Sequence, residues 1–202
     1  HIHKVSKHTA KIALILIGIT FVMMIFILAT PWWYHIDFPG TTINFGLFSY
    51  KVCVTILSLT SCDNGPIRDD NSFEDEENSD IVSAANVALA GLIFAMIFSV
   101  IYFLLGALQI TGKSFGPLDK KKISISSFIV SIFILVSLVA VLILYPIVLG
   151  GVTDSGDYID WHETYSFSYY LLIPMVILSG VASVLLAFDI FGKLSDYNPI
   201  KQ

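Results

Sequence analysis

The chain has 202 residues, of which 55% are hydrophobic and only 13% charged, with a formal net charge of −5. Soluble domains carry about a quarter charged residues, so this surface cannot face water all round. A disordered tail, a basic nucleic-acid binder and an ordinary cytosolic enzyme are excluded, and an integral membrane protein is what remains.

In chain order, Lys4, Lys7 and Lys11 lead into a first apolar run, Ile12–Thr30. Its length, and the absence of an A-x-A site before Thr30-Pro31-Trp32-Trp33, predict a retained span rather than a cleaved signal peptide. Further runs follow at Ile81–Leu108, Ile123–Leu149 and Tyr169–Phe188. Each reaches the roughly 20 residues that cross about 30 Å of hydrocarbon. In lipid the backbone must satisfy its own hydrogen bonds, so each run is expected to be a helix. None shows the alternation of a barrel strand. The middle two are long enough to tilt or project beyond the bilayer.

Charge placement orients the spans. Nine of the eleven basic residues lie before the first span, between the second and third, or after the fourth; the exceptions are Lys51 and Arg68. The positive-inside rule therefore puts both termini and the loop 109–122 in the cytoplasm, and the loops 31–80 and 150–168 outside. Thirteen of the sixteen acidic residues fall in those outer loops. Trp32, Trp33 and Tyr34 after the first span, and Tyr165, Tyr169 and Tyr170 before the fourth, stand where interfacial aromatic anchors belong. The whole chain reads as one tetraspan domain, 1–202, without an internal repeat.

The only cysteines, Cys53 and Cys62, fall in the first outer loop. In an oxidising compartment two cysteines most simply form one disulfide, with two free thiols as the alternative. A zinc site needs about four ligands and is discarded. The β-branched run Tyr50–Leu57 predicts a strand, and a bridge closing so short a loop suits a hairpin, although no Gly or Asn marks its turn. The outer loops hold no N-x-S/T sequon with an allowed middle residue, so N-glycosylation is not expected.

An aromatic exit from the first span at Trp32 and Trp33, then Gly46-Leu47-Phe48, then Cys53 and Cys62, resembles the W…GLW…C…C signature of the claudin superfamily. That superfamily includes the junctional claudins, the peripheral-myelin and epithelial-membrane proteins and the gamma-type auxiliary subunits of channels. Phe48 stands where the family usually has tryptophan, and no cytoplasmic cysteine is available for palmitoylation. The resemblance implies a mainly α membrane fold: a left-handed four-helix bundle carrying a small, disulfide-braced antiparallel sheet. Four strands would come from the first outer loop and a fifth from the second. It also implies that the Gly46-Leu47-Phe48 segment packs close to the membrane surface, with Phe48 burying an apolar face.

Asp69, Asp70, Glu74, Asp75, Glu76, Glu77 and Asp80 form a run that could attract cations or collect Ca²⁺. It lacks the spaced ligands and pivotal glycine of an EF-hand, and a solvated loop is the reading that charge runs favour. Asp154, Asp157 and Asp160 lie beside Gly156, which favours a turn over a helical cluster. His1, His3 and His8 are read as an ordinary terminus, and His35 and His162 as surface residues. Apart from Asp189, at the inner end of the fourth span, the spans hold no Asp, Glu, Lys, Arg or His, so a pump, coupled transporter or voltage sensor is not expected. No nucleophile–base pair, phosphate loop or H-E-x-x-H pattern is present, so neither an enzyme nor a cofactor is expected.

Small residues remain. Ala84, Ala88, Gly91 and Ala95 form a stripe on the second span, Ser124, Ser127 and Ser131 on the third, and Ser179 and Ser183 on the fourth; such stripes suit close helix packing. The expected partners are the lipid bilayer and another integral membrane protein or further copies of this chain. Nucleic acid and a small-molecule substrate are not expected. The expected role is that of an auxiliary or structural subunit of the plasma membrane, with a junctional, cation-favouring adhesion protein as the alternative.

Overall fold

The computed structural model describes residues 2–30, 32–56, 59–66, 76–111, 120–149 and 162–195. Four long helices dominate it: α1 (Ile2–Ala29), α2 (Glu76–Thr111), α3 (Lys120–Leu149) and α5 (Leu172–Ser195), the last preceded by the single turn α4 (Phe167–Tyr170). Each of the four carries a stretch long and apolar enough to span a bilayer: His8–Ala29, Val82–Thr111, Lys121–Leu149 and Phe167–Phe191. The spans are therefore those read from the sequence. The helices run beyond them, most of all at α1 and α2, which begin before Ile12 and Ile81.

Between α1 and α2 lie β1 (Tyr34–Phe38), β2 (Thr41–Phe45), β3 (Ser49–Ile56) and β4 (Leu59–Pro66); β5 (His162–Tyr165) precedes α4. They form one sheet in the order β4-β3-β2-β1-β5, with each neighbouring pair antiparallel. This is the five-stranded sheet, four strands from one loop and one from the other, that the family resemblance implied. The β1–β2 connection is Pro39-Gly40, with Gly40 at φ +82°. Pro before a residue with positive φ is the signature of a type II turn. A Cβ on Gly40 would also come within 3.2 Å of the Thr55 carbonyl oxygen, whose neighbouring amide, Thr55 N–H, donates to Gly40 O at 2.7 Å.

Burial along the helices follows a spacing of three and four residues. On α1 the buried positions are Ala10, Ala13, Ile17, Thr20, Met24 and Ile27; on α5 they are Leu172, Met175, Ser179, Ala182 and Leu186, with Ser183 beside Ala182. This 3.5-residue period keeps one seam of a helix against its neighbours, as in coiled coils. The opposite faces expose large apolar side chains, among them Ile15, Val22, Phe94, Leu104, Val136, Ile147 and Phe188. Such faces are tolerable only where lipid replaces water.

The chain divides into two compact units, His1–Val22 with Ile93–Leu138 and Met175–Gln202, and Met23–Leu92 with Val139–Pro174. The core of the first unit mixes alanines, serines and Thr20 with larger side chains such as Ile17, Tyr102, Leu138 and Met175. Ser183 Oγ donates to Ser131 Oγ at 3.0 Å, Gln109 Nε2 donates to Ser124 Oγ at 3.2 Å, and Ser127 Oγ is buried without a partner among the described residues. Gly106 of α2 lies so close to α1 that a Cβ there would meet Leu14 Cδ1 at 2.8 Å. The second unit contains the sheet and a bulkier, aromatic core.

Candidate functional site

The candidate site is the place in the second unit where the sheet meets helix ends. The last four carbonyls of a helix lack intrahelical donors. In α1 the Ile27 carbonyl oxygen receives the Trp33 indole N–H at 2.9 Å and the Thr30 hydroxyl at 3.2 Å. Thr30 Oγ1 is in turn 2.6 Å from Ser168 Oγ on α4. Backbone bonds from Ser166 N to Trp33 O, 3.1 Å, and from Ser168 N to Trp32 O, 2.9 Å, join the same two segments.

Trp33 is fully buried, and its ring lies 5.2 Å from that of Tyr145 on α3. Trp32, its neighbour, is 46% exposed. The two tryptophans therefore do not share the anchoring role expected of both: only Trp32 is free to meet an interface. Trp33 instead caps α1 and fills the core, because its N–H finds a carbonyl that has no helical donor. Of the four tyrosines expected as anchors, Tyr34 is buried and Tyr170 is exposed, whereas Tyr165 and Tyr169 are half-buried, with their ring centroids 4.6 Å apart.

The Gly46-Leu47-Phe48 segment forms the tight link from β2 to β3, with Gly46 N–H bonded to Ser49 O at 2.8 Å. Gly46 is buried and Leu47 is only 2% exposed, but Phe48 is 51% exposed. The apolar anchor of this motif is thus Leu47, not Phe48 as expected. The link is short enough that successive side chains leave it in different directions.

Cys53 and Cys62 are bonded and stand directly opposite each other on β3 and β4, Cα atoms 4.1 Å apart. The bridge closes the outermost hairpin, whose edge strand β4 is exposed along most of its length. Gly65 on that strand faces Tyr50, whose ring occupies the space where a Cβ would stand.

On α2, Ala84, Ala88 and Ala95 are buried as expected. Gly91 is only half-buried, and Leu92 takes its place in the seam. The buried positions 84, 88, 92, 95, 99 and 102 step by four, four, three, four and three, so the seam passes through Leu92 where a four, three, four series from Ala84 would pass through Gly91. The close-approach glycine of this helix is Gly106, which the sequence reading passed over.

Asp69, Asp70, Glu74 and Asp75 lie outside the described residues, as do Asp154, Asp157, Asp160 and His1. Glu76, Glu77 and Asp80 belong to the first turns of α2. His35 Nδ1 is 2.8 Å from Asn44 Oδ1 across the β1–β2 ladder. Among the described residues no group of three His, Cys, Asp or Glu side chains is placed to hold a metal ion.

No family model matches the chain, and no curated protein matches it in sequence. What the arrangement offers is a disulfide-braced sheet anchored by a buried tryptophan and leucine, and helices with exposed apolar faces.

Proposed function

We propose that this chain is a claudin-like tetraspan protein, without enzymatic activity, that binds another integral membrane protein or further copies of itself side by side as a structural or auxiliary subunit. The observation that carries this reading is the make-up of the sheet. Four strands from the first loop and one from the second are braced by Cys53–Cys62, with Gly46 and Leu47 buried at the β2–β3 link. That combination is what the family resemblance implies. Among the described residues every buried polar side chain other than the tyrosines and Trp33 is a serine or threonine, the residue types that serve close helix contact in lipid. Proton relays and voltage sensors use ionisable groups at such depths.

Lysine placement supports a plasma-membrane orientation with both termini cytoplasmic, which puts the disulfide on the oxidising side. The test is isolation of the tagged protein from native membrane in mild detergent, followed by native gels and cross-linking. A second membrane protein, or another copy, should migrate with it in fixed ratio. A strictly monomeric protein with no co-purifying membrane partner overturns the proposal.

A second reading, cell–cell adhesion, is favoured by the apolar end of the β3–β4 hairpin, where Ile56 is 65% and Leu59 is 79% exposed. Exposed apolar residues at a projecting tip suit contact with a facing protein. Expression in adhesion-deficient cells should then concentrate the protein at contacts, and uniform surface staining rejects it.

A further inference from the structure

Helix α3 contains Pro146. Proline has no N–H, so the carbonyl four residues earlier, that of Leu142, loses its helical donor. Near hydrocarbon no water stands ready to replace it, and a donor must come from a neighbouring element. Tyr169 supplies it: its hydroxyl donates to Leu142 O at 2.9 Å.

The same ring has two further contacts. It stacks on Tyr145, the residue before the proline, with centroids 5.8 Å apart. It also lies 4.6 Å from the ring of Tyr165, the last residue of β5. The β1–β5 register sets Tyr165 opposite Tyr34, and their rings are 6.3 Å apart. One side chain thus touches both the proline turn of α3 and the strand that ties the second loop into the sheet.

We propose that Tyr169 is a latch that couples the proline turn of α3 to the seating of β5 on β1. When the latch is closed, the hydroxyl stands in for the missing N–H and the ring holds Tyr165. When it opens, Leu142 O is left without a donor, so the turn must loosen to admit water, and Tyr165 loses its neighbour at the same time. A partner that displaces β5 therefore loosens α3 at Pro146, and a partner that straightens α3 releases β5. The two events share one residue, so each shifts the other.

The test is hydrogen exchange by mass spectrometry on the full chain in lipid nanodiscs. It compares the parent protein with Tyr169→Phe, Pro146→Ala and the double variant. Tyr169→Phe keeps the ring and removes only the donor. It should speed exchange about fivefold, the change expected from one net hydrogen bond, in peptides covering both the α3 turn and β5. Pro146→Ala restores a backbone N–H to Leu142 O, so adding Tyr169→Phe to it should change exchange in either segment less than about twofold. A Tyr169→Phe effect confined to α3 would make the tyrosine a local cap and overturn the coupling. Equal effects in the two backgrounds would overturn the role of the Leu142 carbonyl, and unchanged exchange in Tyr169→Phe would overturn the latch altogether.

Discussion

The indole N–H of Trp33 donates to the Ile27 carbonyl oxygen at 2.9 Å, and this bond gives adjacent tryptophans different tasks. Trp33 ends α1 and is fully buried, while Trp32 points outward. Trp33→Phe should lower stability by about 1 kcal/mol through loss of one hydrogen bond, and Trp33→Ala by about 3–5 kcal/mol through loss of a large buried ring. Trp32→Ala should fall within about 0.5 kcal/mol of the parent. Thermal unfolding in one detergent, followed by near-ultraviolet circular dichroism, orders the three variants.

The disulfide is a single bond, so its removal from either end should look alike. Cys53→Ser, Cys62→Ser and the double variant are each expected to lose about 2–3 kcal/mol, with order lost at the β3–β4 hairpin and the four spans still inserted. Intact mass after thiol alkylation without reductant should show no added groups on the parent. Protease sensitivity of the loop that carries β3 and β4 reads the rest.

Helix approach in the first unit depends on Gly106, where an added Cβ would meet Leu14 at 2.8 Å. Gly106→Leu should cost about 1–3 kcal/mol from overpacking, and Ala88→Leu, at a fully buried position, a similar amount. Gly91→Leu should cost clearly less, since Gly91 lies beside the seam rather than in it. Yield of the monodisperse peak on size exclusion, with melting temperature, distinguishes the positions.

Two buried serines on neighbouring helices should respond in opposite ways. Ser183 bonds Ser131 Oγ at 3.0 Å and Ser179 O at 2.9 Å, so Ser183→Ala should destabilise by about 0.6–1.7 kcal/mol. Ser127 Oγ is buried without a partner among the described residues, and removing an unanswered hydroxyl relieves a desolvation cost. Ser127→Ala should be neutral or stabilising. A clear loss of melting temperature in Ser127→Ala contradicts the burial of that hydroxyl without a partner.

Topology is checked by placing a cysteine at Lys121 in a background lacking the native pair. An impermeant thiol reagent should leave it unlabelled on intact cells and label it after permeabilisation. A residue between Leu59 and Pro66 changed to cysteine should behave in the opposite way. Labelling of Lys121→Cys on intact cells reverses the orientation read from the lysines.

Much of this architecture was legible in the one-dimensional pattern. A span is a matter of length and apolarity along a continuous segment, so the four helices stood out before any contact was known. The Cys53–Cys62 pairing was legible because no other cysteine competes for either partner. The β1–β2 turn was equally available in Pro39-Gly40, a strong type II signal that the sequence reading did not use. The spacing rule for α2 also failed in one place: a four, three, four series selects Gly91, while the buried seam takes two successive steps of four and selects Leu92.

The sequence by itself determined which segments are long and apolar enough to span a bilayer and which residues are able to brace the loop between the first two helices, because hydrophobicity and thiol count are properties of the residues themselves. Only the tertiary structure decided which of Trp32 and Trp33 is buried, that Leu47 rather than Phe48 anchors the β2–β3 link, and that Tyr169 serves the Leu142 carbonyl. Each of those outcomes depends on a group from a distant part of the chain: an α1 carbonyl, the packed interior of the second unit, a turn opened by Pro146. Pro146 announced that a carbonyl four residues earlier would need a donor, but it could not name the donor. A hydroxyl 27 residues further along the chain becomes a neighbour only once α3, β5 and α4 are packed together.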